Sequence, residues 1–568
     1  MKSFLITSIC FFFLQIDLVA QESITQTEEI DLLVELTKDI NKIGIPENIS
    51  MCLRSSPIVP KGELELSSIQ KSPIGFHLTY QQFYNGIPIE NAILKAHFNK
   101  FGELFHKQAH LSDSRPRNSL FKGANILTNT KNGLIYANKK RTQNGTEIRS
   151  KSGEILYRNS GKLYLYDLNS RDTQANVKVF LVNPVNSAGV SYGPPFVDNA
   201  DANSSYLSKE LSWKKINLSL ESDSFVLQNN LFRFSELSDP IQKTPKSKND
   251  SFFFERSNPN FEFVNCYFHL SNYANYIQKL QFFNLLDTLV IDPRIEGDNS
   301  FFDINKRELQ FGIGNVDDAE DGEVVIHEYA HSLSTKASPN TTSGVERLAM
   351  EEGNADYLTK SYSRSFTGSV NSYKVFSWDG HNEFWPGFNI NSQKVYPNDL
   401  TASSNNNREI WSTPLMKIWE KIGKEKTDRL ILSHLFFQMP NTKMPEMAKI
   451  ILKLDTQFYD AEYSNIIWKA FFEQGILPEI PVVMPINIDN NPIFKNTYGF
   501  AFKQAPLEII FPFPTEFSAS IFCTNGAKVA EFKSNSGQML IHSTLPKGLY
   551  ILQLNYGKII NKKIIIAR

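Results

Sequence analysis

The sequence predicts a multidomain α+β chain, and three observations carry that expectation. Residues 75–111 alternate apolar and polar side chains between turn signals at Asn85-Gly86 and Phe101-Gly102, as antiparallel strands do. Between about 261 and 474, apolar residues recur at helical spacing in several separate segments. After about 500, short β-rich runs return, divided by turns at Asn525-Gly526 and Lys547-Gly548. With 568 residues, 41% of them hydrophobic, the chain has room for several cores.

Composition narrows the partners. A net charge of −1 argues against nucleic acid or an anionic membrane surface. The four cysteines, Cys10, Cys52, Cys266 and Cys523, are too scattered for a disulfide scaffold. They form no C-x-x-C pair, so a metal site here must use histidine and carboxylate.

Residues 1–20 read as a secretory signal peptide: Lys2, an apolar run from Phe4 to Leu14, then Leu18-Val19-Ala20. Asp17 interrupts the apolar run, and nothing else is long enough to cross a bilayer, so the exported chain is expected to keep no membrane span. Residues 21–115 are expected to form an α+β domain. Ile30, Leu33, Leu36 and Ile40 mark a charged helix, and the strands of 75–111 follow. His77, His97, His106 and His110 read as ordinary strand residues. Residues 116–251 are expected to be a β-rich intermediate region, ending in the lysine-bearing stretch IQKTPKSKNDS (241–251), which reads as a linker or processing site.

Residues 252–480 are expected to be the catalytic domain. An aromatic-rich helix opens it at 261–282, with His269 structural, and 298–314 reads as a bend plus an edge strand. Helices at 408–423, 426–438, 443–455 and 461–474 should build a helical half. Asp317, Asp318, Glu320 and Asp321 offer hard oxygens that could hold Ca²⁺. The same acids also suit a helix start that complements the macrodipole, and that reading is preferred.

The chemistry concentrates in His327-Glu328-Tyr329-Ala330-His331. Four-residue spacing puts both imidazoles on one helix face, where they can grip one Zn²⁺. A third protein ligand and a water complete a catalytic shell, and Glu328 stands ready to take a proton from that water. Glu352 follows within MEEGNADYL, and Asp356 shares its helix face at i+4. One of these carboxylates can bind the ion while the other orients a ligand histidine.

This set resembles the gluzincin metallopeptidases of the thermolysin and fungalysin type. EGNAD (352–356) is similar to the EGWSD of fungalysins, and NVDDAEDGEVVIHEYAHSL (315–333) resembles bacterial fungalysin-like enzymes. The resemblance implies a thermolysin-like zincin domain with a helical C-terminal lobe. It implies Zn²⁺ on His327, His331 and Glu352, Glu328 as the base, Asp356 behind His327, and protein or peptide substrates. Those families place a histidine ahead of a tryptophan-bearing helix to stabilise the oxyanion. Alignment on Trp411 puts Asn405 there, with His381 and Arg408 as alternative donors.

YQQFYNGIPIENAILKAHFNKFGEL (80–104) resembles the fungalysin/thermolysin propeptide domain, which implies a zymogen. After a connector at 481–499, residues 500–568 are expected to form a β-sandwich tail. Its ending LPKGLYILQLNYGKIINKKIIIAR resembles the C-terminal sorting domain of type IX secretion in Bacteroidota, which implies that machinery as a partner and a cell-surface or extracellular destination. Because an amide stands at Asn405, a second reading is a catalytically weak or inactive peptidase fold used for binding or adhesion.

Overall fold

The computed structural model describes residues 63–100, 104–112, 116, 126–130, 133–142, 145–149, 155–159, 171–366 and 370–478, and in the tail 493–495, 501–503, 507–510, 517–523, 527–534, 538–541, 548–555 and 559–567. The expected signal peptide, the helix at 22–45 and most of the connector 481–499 lie outside the described residues. The chain divides into two units, residues 1–447 with 474–476, and residues 448–473 with 477–568.

The first unit opens with strands β1 (Glu63–Ser72), β2 (Gly75–Tyr84), β3 (Ile87–Asn99), β4 (Leu104–His110), β5 (Ile126–Thr130), β6 (Gly133–Thr142), β7 (Gly145–Arg149) and β8 (Ile155–Asn159). They form one sheet in the order β1-β2-β3-β5-β6-β7-β8, with β4 also on β3. The β2–β3 hairpin turns on Asn85 (φ 50°) and Gly86 (φ 72°), the left-handed pair that a tight hairpin requires. One face of β2 and β3 buries Phe76, Leu78, Tyr80, Leu94, Ala96 and Phe98.

The opposite face is polar and buried as well. His77 pairs with His97 across the strands, their Nδ1 atoms 2.7 Å apart. His77 stacks on Phe436 (4.4 Å between centroids) and His97 on Phe437 (3.9 Å). Lys95 spends all three ammonium protons on Ser338 Oγ (2.6 Å), Phe436 O (3.0 Å) and Gln438 O (2.9 Å). Two of the histidines that looked ordinary in sequence therefore anchor this sheet to residues 436–438.

Strands β9 (Arg171–Phe180), β10 (Leu211–Glu221), β11 (Ser224–Val226), β13 (Lys246–Ser247) and β14 (Ser251–Phe252) form a second sheet, ordered β13-β11-β10-β9-β14. The expected intermediate region 116–251 is divided among three sheets, since β12 (Phe232–Phe234) joins a third, and its limits at 115/116 and 251/252 each differ from the sheet boundaries. The physical reason is local. Stretch 241–251 contributes only two-residue strands and leaves Lys246 and Lys248 exposed, so its composition looks like a linker although its backbone is paired.

A third sheet, β12-β15-β17-β16, contains β12 (Phe232–Phe234), β15 (Leu289–Ile295), β16 (Phe301–Asp303) and β17 (Glu308–Gly312). Its edges are β12 and β16, while β17 lies between β15 and β16. A short hairpin pairs β18 (Lys374–Val375) with β19 (Phe388–Asn389).

Helices of the first unit are α1 (Pro184–Ala188), α2 (Ser205–Glu210), α3 (Asn260–Lys279), α4 (Gly322–Ala337), α5 (Val345–Ser363), α6 (Ser404–Ile422) and α7 (Lys424–His434). Helix α3 buries most of its circumference, as its aromatic content predicts. Its Asn265 accepts from Phe180 N–H (3.2 Å) and donates to Ala319 O (2.9 Å) and Glu320 O (3.0 Å), tying the second sheet to the approach of α4. His269 is buried on Tyr362 Oη (2.9 Å) and lies so close to Gly322 that a Cβ there would stand 2.7 Å from the ring. It is a packing residue, as expected.

Helix α8 (Met444–Tyr459) spans the division between the units, and α9 (Ser464–Glu473) belongs to the second. The tail strands form one sheet of three and one of five. Among the described residues, no helix is long and apolar enough to cross a membrane.

Candidate metal centre

Helix α4 begins where Asp321 accepts from Glu323 N–H (2.9 Å). That cap sets the phase that turns His327 and His331 to one side, with ring centroids 4.8 Å apart. Helix α5 presents Glu352 to the same side. Its Oε2 lies 3.4 Å from His327 Nε2, and its Oε1 3.9 Å from His331 Nε2. Donors bound about 2.0–2.1 Å from a tetrahedral ion stand roughly 3.3 Å apart, so these separations suit a shared Zn²⁺. Donor atoms of His327, Glu328 and His331 also fall within 4.8 Å of one another.

The ring orientations have separate causes. His327 Nδ1 lies 3.3 Å from Asp356 Oδ1, off the line of a good hydrogen bond, so this buried nitrogen has no hydrogen-bond partner. His331 Nδ1 faces Glu351 Oε1 at 3.3 Å. Glu351 is in turn fixed by Ser334 Oγ (2.6 Å) and Arg347 Nη1 (2.6 Å). Each imidazole thus turns one nitrogen to a carboxylate and the other to the centre, the pattern of metal-ligating histidines.

Arg408 completes the arrangement from α6. It contacts Asp356 at both oxygens (Nε–Oδ2 2.7 Å, Nη2–Oδ1 2.5 Å) and Glu352 Oε2 through Nη1 (3.0 Å). Its Nη2 also lies 3.2 Å from His327 Nε2. A guanidinium only donates, so that nitrogen carries the lone pair, as a metal ligand requires. Gly353 admits α6: a Cβ there would stand 2.7 Å from Arg408 O and 3.1 Å from Trp411.

Electrostatics follow from this crowding. Burial would raise Glu352, but the His331 charge, the contact with His327 and the Arg408 charge hold it far below the usual carboxylate range. Burial opposes ionisation of Glu351 too, yet Arg347 and His331 bring it down to about 2. Asp356 is lowered against burial, chiefly by Arg408. Burial would lower His331, but Glu352 and Glu351 lift it to about 9. Four carboxylates (Glu328, Glu351, Glu352, Asp356) face two guanidiniums (Arg347, Arg408), a surplus that a divalent cation would neutralise. The donor set fits zinc.

Of the other sequence candidates, Asn405 is exposed in the first turn of α6, three residues before Arg408. His381 gives its Nε2 to Phe388 O (2.9 Å), with Gly387 packed against the ring. Phe388 lies under the Arg408 guanidinium, 4.0 Å from its ring centroid. Arg347, Phe388 and the part played by Glu351 were not found in the sequence. Glu351 had one signal, its position beside Glu352.

Two comparisons with known proteins bear on this chain. Residues 62–107 match the Fungalysin/Thermolysin Propeptide Motif. Over 188 residues the chain is 26% identical to the extracellular metalloproteinase MEP of Neosartorya fischeri. That alignment covers 27% of this chain and 30% of the relative's length.

Proposed function

We propose that this chain is a secreted zinc-dependent endopeptidase of the fungalysin/thermolysin type, made as a preproenzyme. The convergence of His327, His331 and Glu352, with Glu328 beside them, is the observation that carries this reading. The propeptide motif and the similarity to a fungal extracellular metalloproteinase support it.

Zinc held by His327, His331 and Glu352 would supply a Lewis acid that polarises the scissile carbonyl and acidifies water. Glu328 takes the proton of the attacking water and delivers it to the leaving amine. Asp356 and Glu351 hold the two imidazoles in register. Arg408, which among the described residues is the cation touching both Glu352 and Asp356, is the best-placed group to meet negative charge developing on the carbonyl oxygen. Asn405 and His381 are the weaker donors, one exposed on its helix and the other already bonded to Phe388 O. The tail's resemblance to type IX sorting domains supports export by that machinery.

A second reading, a peptidase fold kept for binding, draws on the Arg408 contact at His327 Nε2, because one lone pair cannot serve a guanidinium and a metal together. Purified protein freed of its propeptide decides between them. Hydrolysis of a denatured protein, lost on chelation and in Glu328→Ala, supports the peptidase. A zinc-loaded chain that hydrolyses nothing supports the binder.

A further inference from the structure

The amino-terminal sheet meets the carboxyl end of α4 and the segment 436–438 as a hydrogen-bond donor. Gln70 Nε2 donates to Lys336 O (2.7 Å) and Gln108 Nε2 to Phe437 O. Lys95 Nζ donates to Ser338 Oγ, Phe436 O and Gln438 O. Lys95 and Gln108 are register partners on β3 and β4, so one row of the sheet serves three successive carbonyls. Ser338 can only accept from Lys95, because its one hydroxyl proton goes to Leu435 O (2.5 Å).

Three acceptors in reach of one Nζ define the group they suit. A primary ammonium carries its three donors as a tripod, whereas a guanidinium spreads its donors in a plane. Ser338 caps α4 at the end where helix carbonyls favour a cation. Lys95 is only 1% exposed, and burial, then repulsion from Arg347, works against its charge. The three oxygens answer that penalty. His77 and His97 stack on Phe436 and Phe437, and both phenylalanines are buried beside the lysine site.

We propose that Ser338 Oγ, Phe436 O and Gln438 O form a lysine-recognition socket. Lys95 fills it while the amino-terminal sheet is in place, and a lysine side chain of a protein substrate fills it once that sheet is removed. The second step rests on the reading of this chain as a proenzyme. The matched propeptide motif contains Gln70 and Lys95, so its removal takes these donors and leaves their acceptors. What remains is an acceptor cluster beside two phenylalanine rings. A lysine suits both parts, since its stem lies on apolar surface while its head bonds. Ser338 stands about two helical turns beyond His331, about 10 Å along α4. Gln438 Oε1 also lies 3.1 Å from Ser334 Oγ, which donates to Glu351, the carboxylate facing His331. A lysine held here would tether a substrate near the proposed zinc without using any zinc ligand.

The socket's chemistry is tested in the full chain. Lys95→Ala empties it, and Lys95→Met keeps a stem without donors. Both should lower the unfolding midpoint. In Lys95→Ala, n-butylammonium should restore it saturably, and tetramethylammonium, a cation without N–H, should not. Folding of Lys95→Ala only in the presence of n-butylammonium would be the same result. Substrate recognition is tested in Glu328→Gln processed by an added protease, with casein as the probe. Casein should bind at least about tenfold more tightly than casein with acetylated lysines. Here too n-butylammonium should compete and tetramethylammonium should not. Equal rescue by the two cations, rescue by neither, or equal binding of the two caseins would overturn the proposal. Neither measurement reads hydrolysis, so such a failure is distinct from a failure of the peptidase reading.

Discussion

Arg408 and Asp356, 52 residues apart in sequence, meet as a two-point ion pair, with Nε–Oδ2 at 2.7 Å and Nη2–Oδ1 at 2.5 Å. Both are buried, so the pair is costly to break from one side. Arg408→Ala should lose about 3–5 kcal/mol of stability by leaving Asp356 uncompensated. Arg408→Lys keeps a charge but loses the planar fork, and should recover only part of that loss. Denaturant unfolding of the two variants beside wild type checks the order.

Glu351 is expected to act on the metal through His331, which it faces at 3.3 Å. Glu351→Gln should keep the fold better than Glu351→Ala, because an amide can still pair with Ser334. Zinc affinity should fall about 10–100-fold in the alanine variant. Competition against a chelating dye measures this directly, and unchanged affinity would remove Glu351 from the site.

Gly353 sets the approach of α6. An added Cβ would meet backbone, Arg408 O at 2.7 Å, which cannot swing aside as a side chain can. Gly353→Ala should cost about 1–3 kcal/mol from overpacking. It should also reduce activity more than its stability loss explains, since Arg408 moves with its carbonyl. Rates compared well below the unfolding midpoint separate the two effects.

Acid should loosen the amino-terminal sheet. His77 faces Ser72 Oγ, His97, Phe436 and Phe437, with Lys95 on the same strand face. Burial, then the Lys95 charge, lowers His77 from 6.5 to about 3. A depressed folded-state value means the stabilisation is complete above about pH 6.5 and is lost as pH falls toward 3. The slope is about 1.4 kcal/mol per pH unit for one proton. Hydrogen exchange in β2 and β3 at pH 7 and pH 5 should show this, and His77→Gln should flatten the dependence.

What could be read in the sequence was local. His327, Glu328 and His331 lie within one helix turn and a half, and Glu352 and Asp356 within another, so spacing alone put each pair on a common face. Helices α3 and α6 followed from apolar periodicity, and the β2–β3 hairpin from Asn85-Gly86. Contacts made across long separations gave no such signal. Lys95 reaches Phe436 and Gln438, and Arg256 gathers Asp198 and Glu320, through folding rather than through any repeat in the chain. The paired backbone of 246–252 was hidden for a different reason: its strands are too short to alternate.

The most direct measurement sets zinc content beside hydrolysis in wild type and Glu328→Gln, with the propeptide removed. Glu328 touches the reaction but is not assigned as a ligand. The variant should therefore bind one zinc per chain and lose about 10²–10⁴-fold in rate. A wild type that holds zinc yet cleaves no denatured protein, or a Glu328→Gln variant as fast as wild type, would contradict the peptidase account.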